Sequence, residues 1–255
     1  MMIDRVKLQA TLQELEPTPQ LHFYETIDST NIEAKRLLKK GASLPFFCIA
    51  EMQTAGKGRL NRVFQSPKGT GIYISYAFTA NFADLQPGLL TTSVGVLVAQ
   101  AIQHAYQVTP LIKWVNDLYL NQKKICGILT ETLPLANHKA GVIIGIGLNL
   151  KTPASLPTDL APKVGGINHK GDLNLLLAHI CQGLPTLIRA YASGTYLPFY
   201  RQHAFLTGKT VTLAIGEQHI QGTVQGIRDD GALCLQTSTG VVAYEYGEVT
   251  KVYFK

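Results

Sequence analysis

Residues 51–78, EMQTAGKGRLNRVFQSPKGTGIYISYAF, place Lys57, Arg59, Arg62 and Lys68 on a glycine-broken segment that carries no acidic residue between Glu51 and Asp84. Such a segment suits a triphosphate or an acyl-phosphate, because backbone N–H groups approach closely while the cationic heads neutralise oxygens. A solvated surface loop would look the same in isolation, and two further stretches shift the balance. In KWVNDLYLNQKKICGI, Lys113 and Asp117 fall at a strand end, and Lys123 and Lys124 follow across a polar turn. Period-two alternation predicts Lys113, Val115 and Asp117 on one face, an acid and a base sharing a pocket wall. GIGLNL (145–150) then ends a buried strand with Asn149, whose amide can read a base edge or close a turn.

Other chemistries find little support. Gly208-Lys209-Thr210 imitates the end of a P-loop, but the first glycine would fall at His203 and a strand follows instead of a helix. Gly56-Lys57-Gly58 opens like a dinucleotide fingerprint, yet its third glycine position is Asn61. No HExxH or GxSxG occurs, and Cys48, Cys126, Cys181 and Cys234 are widely spaced without a CxxC pair, as expected of buried thiols in a reducing compartment. Metal-free, thiol-free chemistry remains.

The elements that must carry these residues follow from the patterning. A hydrophobic fraction of 46% with 16% charged residues describes a compact globule, and a net charge of +6 suits an anionic partner without choosing one. The N-terminus lacks the apolar core of a signal peptide, and no run reaches the roughly 18 apolar residues of a membrane span, which places the chain in the cytoplasm. Helices are predicted over 4–16, 28–41 (with Thr30 and Glu33 in capping-box spacing), 88–106, 173–191 and 195–204. Strands are predicted over 46–51, 72–78, 111–120, 125–133 and 140–150, with NQKK as the hairpin turn. The result is an α+β fold, a mixed sheet covered by helices on one face. From Gly208 onward five short strands separated by GEQ, RDDG and STG predict a small closed barrel. Residues 1–206 are thus read as one domain and 207–255 as a second.

Together these segments resemble the catalytic domain of biotin–protein ligases over residues 22–204. The order of landmarks matches throughout: DSTN (28–31), Gln53 before AGKGRLNR (55–62), KWVNDLY (113–119), KKICGIL (123–129) and GIGLNL (145–150). The resemblance implies a class II aminoacyl-tRNA synthetase-like catalytic fold with an SH3-like C-terminal barrel. It also implies a two-step reaction. Biotin and MgATP give biotinoyl-5′-AMP and pyrophosphate, and a lysine of a biotin carboxyl carrier protein, as in acetyl-CoA carboxylase, then attacks the mixed anhydride. Carried over by position, Ser29, Thr30, Asn31 and Gln53 would meet the ureido ring, and Lys57, Gly58 and Arg59 would fold over biotin and its activated carboxylate. Arg59, Arg62, Lys113 and Asn149 would bind ATP or the adenylate. Lys124 would contact biotin and stabilise charge as its carboxylate attacks the α-phosphate. Asp117 would orient the incoming lysine, an amine with a pKa of about 10.4 that is almost wholly protonated at neutral pH.

The chain departs from the family pattern at Lys57, where an arginine is usual, at Asn61, where a glycine is usual, and at Val115, where KWPND has proline. The loop at 152–171 has no tryptophan to cover adenine, no magnesium ligands can be assigned, and the chain leaves no room for the N-terminal winged helix of many relatives. A homodimer is left open. Lipoate–protein ligase is the nearest rival, but its glycine-rich signature ending in histidine is absent. A nucleic-acid-binding module is the rival of another class. Against it, Lys209, Arg228, Lys251 and Lys255 are balanced in the barrel by Glu217, Asp229, Asp230, Glu245 and Glu248, so no DNA partner is expected. A non-catalytic biotin-binding protein would leave Lys124 and Asp117 without a task.

Overall fold

A computed structural model describes residues 3–154 and 156–253; Phe254 and Lys255, included above in the last strand and in the charge balance, lie outside them. In chain order the elements are α1 (Arg5–Leu12), β1 (Gln20–Tyr24), α2 (Thr30–Lys39), β2 (Phe46–Ala50), β3 (Gly71–Asn81) and α3 (Pro87–Tyr106). Then come β4 (Leu111–Lys113), β5 (Asp117–Leu120), β6 (Lys123–Pro134), β7 (Lys139–Asn149), α4 (Leu173–Ala190) and α5 (Leu197–Gln202). The C-terminal strands are β8 (Thr210–Ile215), β9 (Gln218–Ile227), β10 (Leu233–Thr237), β11 (Gly240–Tyr244) and β12 (Glu248–Tyr253). The first seven strands form one mixed sheet in the order β1-β2-β3-β7-β6-β5-β4, with β1 and β2 parallel.

Helices cover both faces of this sheet, where one covered face was expected. Alternation along β2 sends Phe47 and Ile49 into the large core shared with α3 and α4. Phe46 and Cys48 point the other way and, with Ala77 and Ile143, meet Ala34 and Leu38 of α2. The apolar stripe of α2 was legible; the face it covers follows from strand order. β1 was not foreseen, because QLHFY is a half-buried edge strand with little alternation.

The segment 111–120 is two strands instead of one. The chain folds back at Trp114–Asn116, where the Trp114–Val115 peptide is cis, so that Lys113 and Asp117 become partners across an antiparallel pair. They are neighbours, but not by lying two steps apart on one strand as the alternation predicts. The following turn has two central residues: Asn121 and Gln122 both have positive φ, 49° and 62°, as a tight hairpin of primed type requires, and Lys123 and Lys124 already belong to β6.

The C-terminal strands pair antiparallel in the order β11-β10-β9-β8-β12. This is an SH3-like sheet, but among the described residues no pairing joins β11 to β12 and the expected closed barrel does not form. The backbone at the start of β12 is engaged elsewhere: the carbonyls of Gly247 and Val249 accept from Arg59 (3.0 Å) and Lys113 (3.1 Å). The two sheets share one continuous apolar core, to which Val211, Leu213, Val224, Leu235 and Val249 contribute. They are also tied by the buried Trp114 indole, which donates to Gly231 O at 3.0 Å. Trp114→Phe removes that donor and leaves a buried carbonyl unpaired. Chemical denaturation is expected to show a loss of about 1–3 kcal/mol; an unchanged midpoint would show that the indole bond does not hold the sheets together.

Candidate active site

A cleft of about 560 Å³ opens on the sheet face that carries α2, just beyond the N-terminus of that helix. It exists because the strands have no side chains there. Gly127 on β6 and Gly145 and Gly147 on β7 share this face with Tyr73 and Ser75 of β3, register partners of 147 and 145. A Cβ at position 147 would lie 2.7 Å from the Phe64 ring, and one at 145 would lie 2.3 Å from Asn31 Oδ1. The glycines of GIGLNL thus make the floor of a pocket in an otherwise packed strand.

Ser29, Thr30, Asn31 and Gln53 form the polar end. Ser29 is the N-cap of α2, and Thr30, expected as the cap, is the first helical residue. The capping comes from outside: Gln53 Oε1 accepts both Thr30 N (2.8 Å) and Thr30 Oγ1 (3.1 Å), while Gln53 Nε2 donates to Ser66 Oγ (3.1 Å). The buried Asn31 amide is also fully placed, accepting from Ser75 and donating to Glu131. The Ser29 hydroxyl has no protein partner among the described residues.

Lys57, Gly58, Arg59 and Arg62 all line the cleft; Lys68, counted with them in the sequence, does not. Leu60 and Asn61 have φ of 54° and 59°. Position 61 is therefore left-handed, and asparagine is among the residues that tolerate it. The tightest approach in the loop is at Gly56, where a Cβ would meet Phe64 O at 2.4 Å; at Gly58 the nearest atom is at 3.4 Å. Phe64 was not singled out in the sequence, yet its ring lies on the glycine floor, edge-on to Tyr73 at 6.3 Å.

The cations are held by three consecutive residues of the C-terminal sheet. Arg59 donates to Gly247 O (3.0 Å) and to Asn116 Oδ1 (3.2 Å); Arg62 pairs with the Glu248 carboxylate (Nη2 to Oε2 2.9 Å); Lys113 Nζ donates to Val249 O (3.1 Å). Asn116 is fixed by donating to Ile128 O (2.9 Å). Burial pushes the Lys113 ammonium below its ordinary pKa, with Lys124 and Arg62 adding to the effect and Asp117 and Glu248 opposing it. Lys124 Nζ lies 2.6 Å from Asp117 Oδ1, an ion contact without hydrogen-bond alignment, since that oxygen has no hydrogen-bond partner among the described residues.

Asn149 closes the far side. Its amide nitrogen donates to Gly165 O (3.0 Å) and its buried Oδ1 has no partner among the described residues. The loop after β7 is bound to β6 through Lys124 N to Lys163 O (2.8 Å) and Gly165 N to Lys124 O (2.9 Å), bringing Asp159, Leu160, Lys163 and Val164 into the lining. No residue of this loop was assigned from sequence. Glu248 was out of reach of sequence reasoning as well, because only the packing of the two sheets brings it to Arg62. Asn116 had a signal, its place inside KWVNDLY.

The shape and charge of this cleft describe a site for an apolar molecule with a polar end, joined to an anion. Comparison with known proteins agrees. Residues 23–149 match the biotin/lipoate A/B protein ligase family, and residues 206–252 match the biotin protein ligase C-terminal domain. The chain is 30% identical over 229 residues to the bifunctional ligase/repressor BirA of Bacillus spizizenii, covering 87% of this chain and 70% of that protein. It is 26% identical to the biotin–[acetyl-CoA-carboxylase] ligase of Mycobacterium tuberculosis, covering 90% of this chain and 88% of the relative. The fold is shared with the biotin protein ligase from Aquifex aeolicus solved with biotin and ATP, at a TM-score of 0.72 and 24% identity, covering 91% of this chain and 97% of that one. Sequence and fold together place the chain in the biotin/lipoate A/B protein ligase family, as a ligase of the biotin protein ligase type.

Proposed function

We propose that this ligase joins biotin to ATP as biotinoyl-5′-AMP and passes the biotinoyl group to a lysine of a carrier protein, with residues 1–206 as the ligase domain and 207–255 as an appended domain. The observation that carries this reading is the junction of a glycine-floored, half-apolar pocket with a set of cations facing one another across it. The ureido ring lies at the Ser29, Thr30, Asn31 and Gln53 end, the apolar bicycle against Phe64 and Tyr73, and the carboxylate points toward Lys124 and the loop of Lys57, Gly58 and Arg59. Adenine meets Asn149, whose unpartnered Oδ1 suits the exocyclic amino group.

In the first step a biotin carboxylate oxygen attacks the α-phosphorus, the P–O bond to the β-phosphate breaks, and pyrophosphate leaves. Negative charge grows at the α-phosphate, where Lys124, Arg59, Arg62 and Lys113 supply preorganised positive charge. Asp117, Asp159 and Glu248 line the cleft, and no group of three or more metal-ligating side chains occurs among the described residues. This donor set fits a magnesium ion brought by the nucleotide, which usually keeps water and phosphate ligands and neutralises phosphate charge. In the second step the lysine amine attacks the acyl carbon and AMP leaves. Lys124 exchanges Asp117 for phosphate during the first step. The freed Asp117 then receives the incoming amine and orients it.

No helix of the described residues is long and apolar enough to cross a membrane, in keeping with a cytoplasmic enzyme. A carrier of the acetyl-CoA carboxylase type fits the named activity of the Mycobacterium tuberculosis relative.

Lys124→Ala is expected to slow adenylate formation by about 100- to 1000-fold with the melting temperature nearly unchanged. Mass spectrometry of biotinoyl-AMP after incubation with biotin and MgATP reads the rate, and near-normal synthesis would remove Lys124 from the mechanism. A second outcome concerns protons. Because the Lys113 pKa is lowered, folding is penalised while Lys113 is protonated, and the penalty fades as pH rises from the folded toward the unfolded pKa. Phosphate beside Lys113 favours the ammonium. In that alkaline window ATP binding should therefore take up protons, seen as a buffer-dependent binding enthalpy that Lys113→Met abolishes. Uptake that persists in Lys113→Met would assign the proton to another group.

A further inference from the structure

Asn31 lies at the polar end of the cleft; its amide nitrogen makes a long contact to Leu129 O at 3.5 Å, and its closer acceptor lies outside the cleft lining. Glu131, half-buried on β6, accepts from Asn31 Nδ2 at 2.9 Å. Its other oxygen pairs with Lys35 Nζ at 2.6 Å. On the far side of the amide, Ser75 Oγ donates to Asn31 Oδ1 at 2.6 Å, and the bare Gly145 backbone beneath lets that oxygen sit directly on the cleft floor.

The donor and acceptor chemistry fixes the orientation. An ionised carboxylate only accepts, so the NH2 of Asn31 must face Glu131 and its carbonyl oxygen must face Ser75 and the cleft. A carbonyl oxygen has two lone pairs, and Ser75 uses one. We propose that Glu131 is a positioning residue that holds Asn31 Oδ1 toward the ligand as an acceptor for a ureido N–H. It thereby selects a cyclic urea over acyl ligands, such as a dithiolane, that have no N–H to give. This rests on the biotin reading above. A site built around a hydrogen bond rejects analogues that lack the matching group far more strongly than a purely apolar pocket does.

Lys35 makes the test directional. In Glu131→Gln the donor-only ammonium of Lys35 claims the glutamine oxygen, which turns the glutamine NH2 toward Asn31. Asn31 then reverses, giving up only the long contact to Leu129 O, and presents NH2 where the ureido N–H arrives. Removing Lys35 as well frees the glutamine to turn its oxygen back.

Biotin-dependent ATP–pyrophosphate exchange reads the outcome. Glu131→Gln should raise the KM for biotin by about 10- to 100-fold, the range of a buried donor left without its acceptor, with the KM for ATP and the melting temperature nearly unchanged. Glu131→Asp, still acceptor-only, should recover most of the affinity, and Lys35→Met on the Glu131→Gln background should recover part of it. In an Asn31→Ala background, Glu131→Gln should have no further effect on the KM for biotin. A biotin KM within twofold of wild type in Glu131→Gln would overturn the proposal. So would an equal effect in the Asn31→Ala background, or a parallel rise in the KM for ATP. A wild-type chain with no biotin-dependent exchange would instead overturn the functional reading, and this inference with it.

Discussion

A packed sheet has no room for a ligand unless some of its residues give up their side chains. Here Gly127, Gly145 and Gly147 do so on adjacent strands of one face, and the surrounding architecture is arranged about that hollow. The opposite face of the same strands is filled by Ile128, Ile144, Ile146 and Leu148, fully in the core. β7 is therefore a core strand on one side and a pocket floor on the other. α2 stops short of the hollow and points its N-terminus at it. The basic loop crosses above, with Phe64 resting on the floor.

A second constraint follows from charge. Lys57, Arg59, Arg62, Lys113, Lys124 and Lys163 all line one cleft, and without an anion they repel one another. The chain meets this with its own acceptors: Asp117 for Lys124, and the run Gly247–Glu248–Val249 for Arg59, Arg62 and Lys113. On the proposed function, the C-terminal sheet stands in for the nucleotide's oxygens and keeps these three cations in place until phosphate arrives. The carbonyls of Gly247 and Val249, at the start of β12, face the cations.

Much of this was legible in the sequence because it is local. DSTN, the glycine-broken basic loop, KWVND and GIGLN each lie within a few residues, and the order of strands and helices followed from periodicity. What escaped was set by tertiary pairing. The reversal at Trp114–Asn116 turned one predicted strand into two, because Lys113 and Asp117 face each other across a pair that no local pattern announces. Ser29 takes the N-cap position in place of Thr30, and the acceptor that caps the helix comes from Gln53, distant in sequence. Glu248 counts in the sequence only toward the charge balance of the barrel and Glu131 carries no signal; only their contacts with Arg62 and Asn31 give them a place in the site.

On the proposed function, one cleft makes a mixed anhydride from a cyclic-urea acid and ATP. Exchange of labelled pyrophosphate into ATP, measured with biotin and with lipoate under the same conditions, tests it most directly. Exchange that depends on biotin and is at least about a hundredfold weaker with lipoate is the predicted result, given the discrimination expected of a site with placed hydrogen-bonding groups. Exchange supported equally by lipoate, or none with either acid in a correctly folded protein, would contradict it.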